Sequence, residues 1–208
     1  DGRSKKTGSI GTIGCTSFFP SKNLGGYGDG GAIMTNDDAL AAKLKMVANH
    51  GQSQRYYHDV VGCNSRLDTI QAAILEIKLK HLDSYIDARR RVADAYDAAF
   101  APHPKLEPPF RDKSSKHVFH QYTLILEGLD RNALQAYLAA HHIPSMIYYP
   151  VPAHRQKMFQ SLSAETADLP VTDWLTERVI SLPIHTEMED EQLQFIISKV
   201  LEFADKQN

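Results

Sequence analysis

Two short apolar runs, residues 12–19 and 32–35, flank a glycine-rich stretch, and they predict a pair of buried strands joined by a functional loop. Asn36-Asp37-Asp38 then offers a cap for a helix over 37–47 with Leu40, Leu44 and Val47 on one face. Residues 48–63 carry no such period and read as an exposed loop. From 66 to 100 the apolar residues Leu67, Ile70, Ile74, Ile77, Leu82, Ile86, Ala93, Tyr96 and Phe100 recur mostly three or four apart. That period predicts one long helix, bent or straight, crossing from one domain into the next. Its start is signalled by Ser65-Arg66-Leu67-Asp68, which has the form of a capping box.

A connection rich in proline follows, with Pro102, Pro104, Pro108 and Pro109. Beyond it the pattern predicts strands over 119–126 and 145–149, helices over 131–141, 164–178 and 190–206, a turn at Pro150-Val151-Pro152 and a short apolar segment at 180–183. These make a small α/β unit, and the absence of a repeat argues against a solenoid.

The 23 basic and 25 acidic side chains of the 208 residues leave a formal charge of -2, so no overall field attracts nucleic acid or an anionic membrane. Two cysteines, Cys15 and Cys63, are too few for a disulfide framework and point to a reducing cytoplasm. No run is long and apolar enough to span a bilayer, and Asp1-Gly2-Arg3-Ser4-Lys5-Lys6 lacks the apolar core of a signal peptide. With no initiator Met at the start, the residues are expected to be part of something longer.

Five of the twelve glycines lie between Gly25 and Gly31. Gly26-Tyr27-Gly28-Asp29-Gly30-Gly31 formally matches a dinucleotide fingerprint, but a strand-like Ala32-Ile33-Met34-Thr35 follows where that fingerprint needs a helix. No phosphate-binding Gly-x-x-x-x-Gly-Lys motif occurs. Lys22 stands between the apolar Phe18-Phe19-Pro20 and the glycines. It reads either as a surface lysine in a flexible loop or as a partly desolvated amine, whose lowered pKa suits Schiff-base formation. Ser17, five residues earlier, has a hydroxyl suited to an anionic group. Asn64 and Arg66, at the expected helix start, read either as a plain cap or as donors for a phosphate or carboxylate. The ten histidines lack metal-ligand spacing, and His120 and His154 read as partners of buried or interface polar groups.

Ser17-Phe18-Phe19-Pro20-Ser21-Lys22-Asn23-Leu24-Gly25-Gly26-Tyr27-Gly28-Asp29-Gly30-Gly31 closely resembles the cofactor-lysine segment of the DegT/DnrJ/EryC1/StrS sugar aminotransferases. Further blocks agree in order: Asn49-His50-Gly51, Gly62-x-Asn64-Ser65-Arg66-Leu67-Asp68-x-x-Gln71-Ala72-Ala73, His120-Gln121-Tyr122, and Ile147-Tyr148-Tyr149-Pro150-x-Pro152-x-His154. The resemblance implies an α/β, aspartate aminotransferase-like fold of the pyridoxal-phosphate transferase type I. On this reading residues 1–88 are the end of the large cofactor-binding domain and 89–208 the small C-terminal α/β domain. It makes Lys22 the lysine that forms a Schiff base with pyridoxal 5'-phosphate, and Ser17 a contact to the cofactor phosphate. Asn64 resembles the residue that reaches the phosphate of a neighbouring subunit's cofactor, which implies a homodimer with shared sites. Arg66, and more weakly Tyr148 and His154, fall to the sugar pocket.

The implied reaction moves an amino group from an amino acid, most often glutamate, to a nucleotide-linked ketosugar, with the wording closest to members acting on 3-keto sugars such as UDP-linked keto-uronic acids. Within the family a sugar dehydratase replaces the lysine with histidine, and Lys22 argues against that. A non-catalytic sensor on the same fold is the rival from another class, and a stable inactive fragment is a third reading. The family's earlier elements, a phosphate loop, an aromatic over the ring and an Asp-x-x-Gln/His pair for the pyridinium nitrogen, do not occur in these residues. Asp29 lies after Lys22 in the glycine turn and does not take the pyridinium role.

Overall fold

The computed structural model describes residues 5–162 and 167–206, which fall into two compact units, 1–83 and 84–208. The charged start read at residues 1–4 lies outside the described part, as do residues 163–166, where the helix expected from 164 begins.

In the first unit, β1 (Gly14–Ser17) and β2 (Gly31–Met34) form an antiparallel pair in which Ser17 faces Gly31. The expected strands are real but shorter, and they are largely exposed rather than buried. Helix α1 (Asp38–Ala48) begins where the Asp37 carboxylate accepts the Leu40 N–H at 2.9 Å, as its capping residues predict. Leu40, Leu44 and Val47 are half-buried. The stretch expected as plain loop contains a small antiparallel hairpin, β3 (Gln52–Gln54) with β4 (Tyr57–His58).

The single long helix expected from 66 is two, α2 (Thr69–Leu79) and α3 (Leu82–Phe100). The ladder tightens at Lys80 and His81, whose N–H groups reach back only three residues, to Ile77 and Lys78. Nor does Ser65 cap a helix. Asp68 is the N-cap of α2 and makes no side-chain cap bond, while Ser65 gives its N–H to the Ala48 carbonyl at 2.9 Å. Competition for the end of α1 therefore overrides the capping-box pattern. The buried face also differs from the expected one. Leu75 is 6% exposed, whereas Ile70 and Ile77, which carry the helical period, are 72% and 60% exposed.

In the second unit, α3 packs Val92, Ala93, Tyr96 and Phe100 on a three-stranded antiparallel sheet ordered β5 (Leu106–Glu107), β6 (Tyr122–Leu126), β7 (Val179–Leu182). The proline-rich connection thus contributes an edge strand that its prolines conceal. Helix α4 (Arg131–Ala140) starts on Asp130, whose Oδ1 accepts two backbone N–H groups, and buries Leu134 and Leu138. Helix α6 (Asp190–Lys206) contributes Leu193, Ile196, Ile197, Val200 and Phe203, a stripe at helical spacing. Helix α5 (Pro170–Arg178) is shorter than expected and opens with proline at its first position. The strand expected over 145–149 contracts to one bridge, Met146 with Ser181. Pro144 and Pro150 flank it, and neither can donate to a ladder. Two 3-10 turns, Ala153–Arg155 and Lys157–Leu162, follow where the sequence suggested only a turn.

Phe119 was expected to open β6 but sits at φ 45° before it, buried, with its N–H given to His117 Nδ1 at 3.0 Å. Buried Arg89 holds this corner. Its Nη1 donates to the carbonyls of Phe119, His120 and Ile184, each at 3.1 Å, and burial lowers the guanidinium's pKa. No described helix is long and apolar enough to cross a membrane. Replacing Arg89 with Met fills similar space but leaves three carbonyls without their donor, so urea unfolding is expected to show a loss of about 3 kcal/mol.

Candidate active-site loop

The loop between β1 and β2 folds back on itself through backbone bonds. Phe18 N–H donates to Gly30 O and Gly26 N–H to Phe18 O, both at 2.8 Å, and Lys22 N–H closes a turn on Phe19 O at 2.9 Å. Lys22 is half-buried within this loop. Ser17 ends β1, and its Oγ accepts the Phe19 N–H at 3.2 Å, which leaves its own O–H to donate. The structure therefore puts Ser17 and Lys22 on one loop whose ends are tied together.

Helix α2 supplies the other half of the support. Gln71 Oε1 accepts the Tyr27 N–H at 2.7 Å, and Lys78 Nζ donates to the Gly25 carbonyl at 2.6 Å while lying 5.5 Å from the centre of the Tyr27 ring. Here the glycines serve close approach. A Cβ on Gly25 would lie 2.4 Å from the Pro20 carbonyl oxygen, and one on Gly26 would lie 2.8 Å from Gln71 Oε1. Gln71 and Lys78 carry no function in the sequence reading. The available signal is their spacing with Leu75, four and three residues, which places all three on one helix face.

Asn64 and Arg66 are held by a different anchor. Cys63 N–H donates to Val47 O and Ser65 N–H to Ala48 O, both at 2.9 Å, so this segment satisfies carbonyls at the end of α1. His50 N–H returns to Cys63 O at 2.9 Å, which joins the Asn49-His50-Gly51 block to the Gly62-x-Asn64 block. The close approach needs both glycines: Gly51 has φ 74°, and a Cβ on Gly62 would lie 2.2 Å from Gly51 N. The expected helix N-terminus is absent at Asn64, since α2 starts at Thr69. What remains is a side-chain site. Arg66 Nε donates to Asn64 Oδ1 at 3.1 Å, and both residues are exposed, with the Asn64 amide NH2 and the guanidinium Nη groups as further donors.

Tyr148 and His154 lie in the second unit. Tyr148 is exposed and meets Tyr149 edge-on, ring centres 5.6 Å apart. His154 turns inward, its buried Nε2 3.6 Å from Asp173 Oδ1, beyond hydrogen-bond distance.

A model of the DegT/DnrJ/EryC1/StrS aminotransferase family matches residues 1–201. The chain belongs to this family. Among its relatives, a UDP-N-acetyl-3-dehydro-alpha-D-glucosamine 3-aminotransferase of Acidithiobacillus ferrooxidans is 48% identical over 193 residues, 93% of this chain and 51% of that protein. A pleiotropic regulatory protein of Geobacillus stearothermophilus is 43% identical over 201 residues, 96% of this chain and 54% of that protein. The crystal structure of a DegT/DnrJ/EryC1/StrS aminotransferase from Brucella abortus superposes with a TM-score of 0.85 at 37% identity, covering 95% of this chain and 52% of that one. The chain spans about half the length of the curated relatives it matches.

The family membership gives the loop geometry a direct test. Gly25→Ala forces its Cβ against the Pro20 carbonyl, so thermal unfolding is expected to show a loss of about 1–3 kcal/mol.

Proposed function

We propose that the chain carries the lysine of a pyridoxal-phosphate-dependent aminotransferase acting on a nucleotide-linked ketosugar, with an amino acid, most simply glutamate, as donor. The observation that supports this most is the placement of Lys22 and Ser17 on one tied loop that α2 holds through Gln71 and Lys78. The donor set fits the cofactor: an amine for its carbonyl, and a hydroxyl and a carboxamide for its phosphate. Lys22 would hold the aldehyde carbon, Ser17 the phosphate of the same subunit, and Asn64 that of a neighbouring subunit in a homodimer.

When bound, the cofactor supplies an electron-withdrawing ring that acidifies the amino donor's Cα–H bond. Lys22 Nζ would take that proton as general base and deliver a proton to the sugar carbon that gains nitrogen. Arg66, oriented by Asn64, offers its guanidinium to a sugar carboxylate or a nucleotide phosphate, a bidentate match that suits a UDP-linked keto-uronic acid. Tyr148 and His154, carried by the second unit, are further candidates for contact with the sugar on this reading. We assign residues 1–88 to the end of a large cofactor-binding domain, 89–208 to a small C-terminal domain, and the protein to the cytoplasm.

The 43% identity to a protein named for regulation favours a second reading, in which the same loop serves a sensor without turnover. One experiment separates the readings from an inert fold. After incubation with pyridoxal 5'-phosphate and reduction by borohydride, peptide mass spectrometry is expected to find the pyridoxyl-phosphate adduct on Lys22, and Lys22→Ala to abolish it. An adduct spread over surface lysines, or none, contradicts the assignment. Release of 2-oxoglutarate from glutamate with a UDP-linked 3-keto sugar then distinguishes the enzyme from the sensor.

A further inference from the structure

His154 and Arg155 are neighbours in the first 3-10 turn, and both address one carboxylate. Arg155 donates Nε–H to Asp173 Oδ1 at 2.8 Å and Nη2–H to Oδ2 at 2.5 Å, the bidentate arrangement of a guanidinium on a carboxylate. From the same turn His154 brings Nε2 to 3.6 Å from Oδ1, with its side chain 9% exposed against 29% for Asp173. Asp173 stands in the first turn of α5, where the helix dipole favours an anion. Arg155, and to a smaller extent His154, hold its carboxyl below the usual range.

The segment these residues serve has little else to fix it. Met146 makes its last bond to the sheet, through Ser181. Pro150 and Pro152 then remove two backbone donors. Among the described residues, the turn is closed by bonds from Arg155 N–H to Pro152 O at 3.0 Å and Gln156 N–H to Ala153 O at 3.1 Å, with Gln156 Nε2 reaching Val151 O at 3.5 Å. A single 3-10 turn is too short to hold its own geometry. Tyr148 and Tyr149 meet edge-on immediately before Pro150, so the bend that leads into the turn is continuous along the chain with both rings.

We propose that Asp173 is a positioning residue: by clamping Arg155 onto α5, with His154 packed beside the pair, it fixes the Pro150–Pro152 bend and the Tyr148–Tyr149 ring pair as one wall of the sugar-binding surface. His154, buried beside the Arg155–Asp173 pair, then serves as packing for this anchor. The sugar-binding part rests on the aminotransferase reading, whereas the clamp rests on the geometry alone.

The test uses Asp173→Asn, Asp173→Glu and Arg155→Gln with two readouts. Trypsin cleavage after Lys157, which requires the turns to open, is expected to speed up about 10-fold in Asp173→Asn and by less in Arg155→Gln, and to return toward the original rate in Asp173→Glu. With UDP-N-acetyl-3-dehydro-alpha-D-glucosamine as acceptor, Asp173→Asn is expected to raise KM for the sugar about 10-fold, with kcat within about 3-fold and KM for glutamate unchanged. Unchanged cleavage in both Asp173→Asn and Arg155→Gln overturns the clamp. Faster cleavage with an unchanged KM for the sugar overturns the role in the sugar wall. If the original protein turns over no UDP-linked keto sugar, the aminotransferase reading fails and the cleavage rates still decide the clamp.

Discussion

The loop that carries Lys22 cannot stiffen itself, because five glycines in seven positions give it more backbone freedom than any other part of the chain. Its order comes from outside, from two polar side chains of α2 that reach across to backbone groups. The Gln71 carboxamide takes the Tyr27 N–H, and Lys78 gives a proton to the Gly25 carbonyl. The same absence of side chains that makes the loop mobile in an unfolded chain lets Gln71 approach Gly26 and Gly28 closely enough to bond. Everything proposed for Lys22 depends on that trade, since an amine that must meet one carbonyl carbon needs a backbone that does not wander.

A second trade fixes Asn64 and Arg66. The end of α1 has carbonyls that need donors, and the chain returning through Gly62 and Cys63 supplies them. A helix C-terminus thereby becomes the bench on which an exposed amide and guanidinium are presented. The second unit follows a different rule, with a continuous apolar core from α3, α4, α6 and the sheet, and with buried Arg89 satisfying the carbonyls of a backbone corner.

Hydrophobic period and capping residues suffice to locate α1, α4 and α6: α1 and α4 each follow a capping Asp and α6 opens on Asp190, and a stripe at three- and four-residue spacing is buried in α4 and α6 and half-buried in α1. They mislead on α2, where Ile70 and Ile77, which carry the period, are exposed and the working face is Gln71, Leu75 and Lys78. They also mislead at Ser65, whose backbone is claimed by α1 before its side chain can cap anything. Lys22, Ser17, Asn64 and Arg66 are legible as a motif, since the glycines and their order are specific. The partner that holds the Lys22 loop is not, because Gln71 acts through a contact 44 residues away in sequence, and neither is the Arg155–Asp173 pair, 18 residues apart.

The central claim, that α2 rather than the loop itself orders the backbone around Lys22, is tested most directly by amide hydrogen exchange at Tyr27 before and after Gln71→Ala. The account predicts that Tyr27 and Gly26 exchange at least about 10-fold faster in the variant while the amides of α1 and α6 keep their rates. Unchanged protection at Tyr27 in a folded Gln71→Ala protein would contradict it.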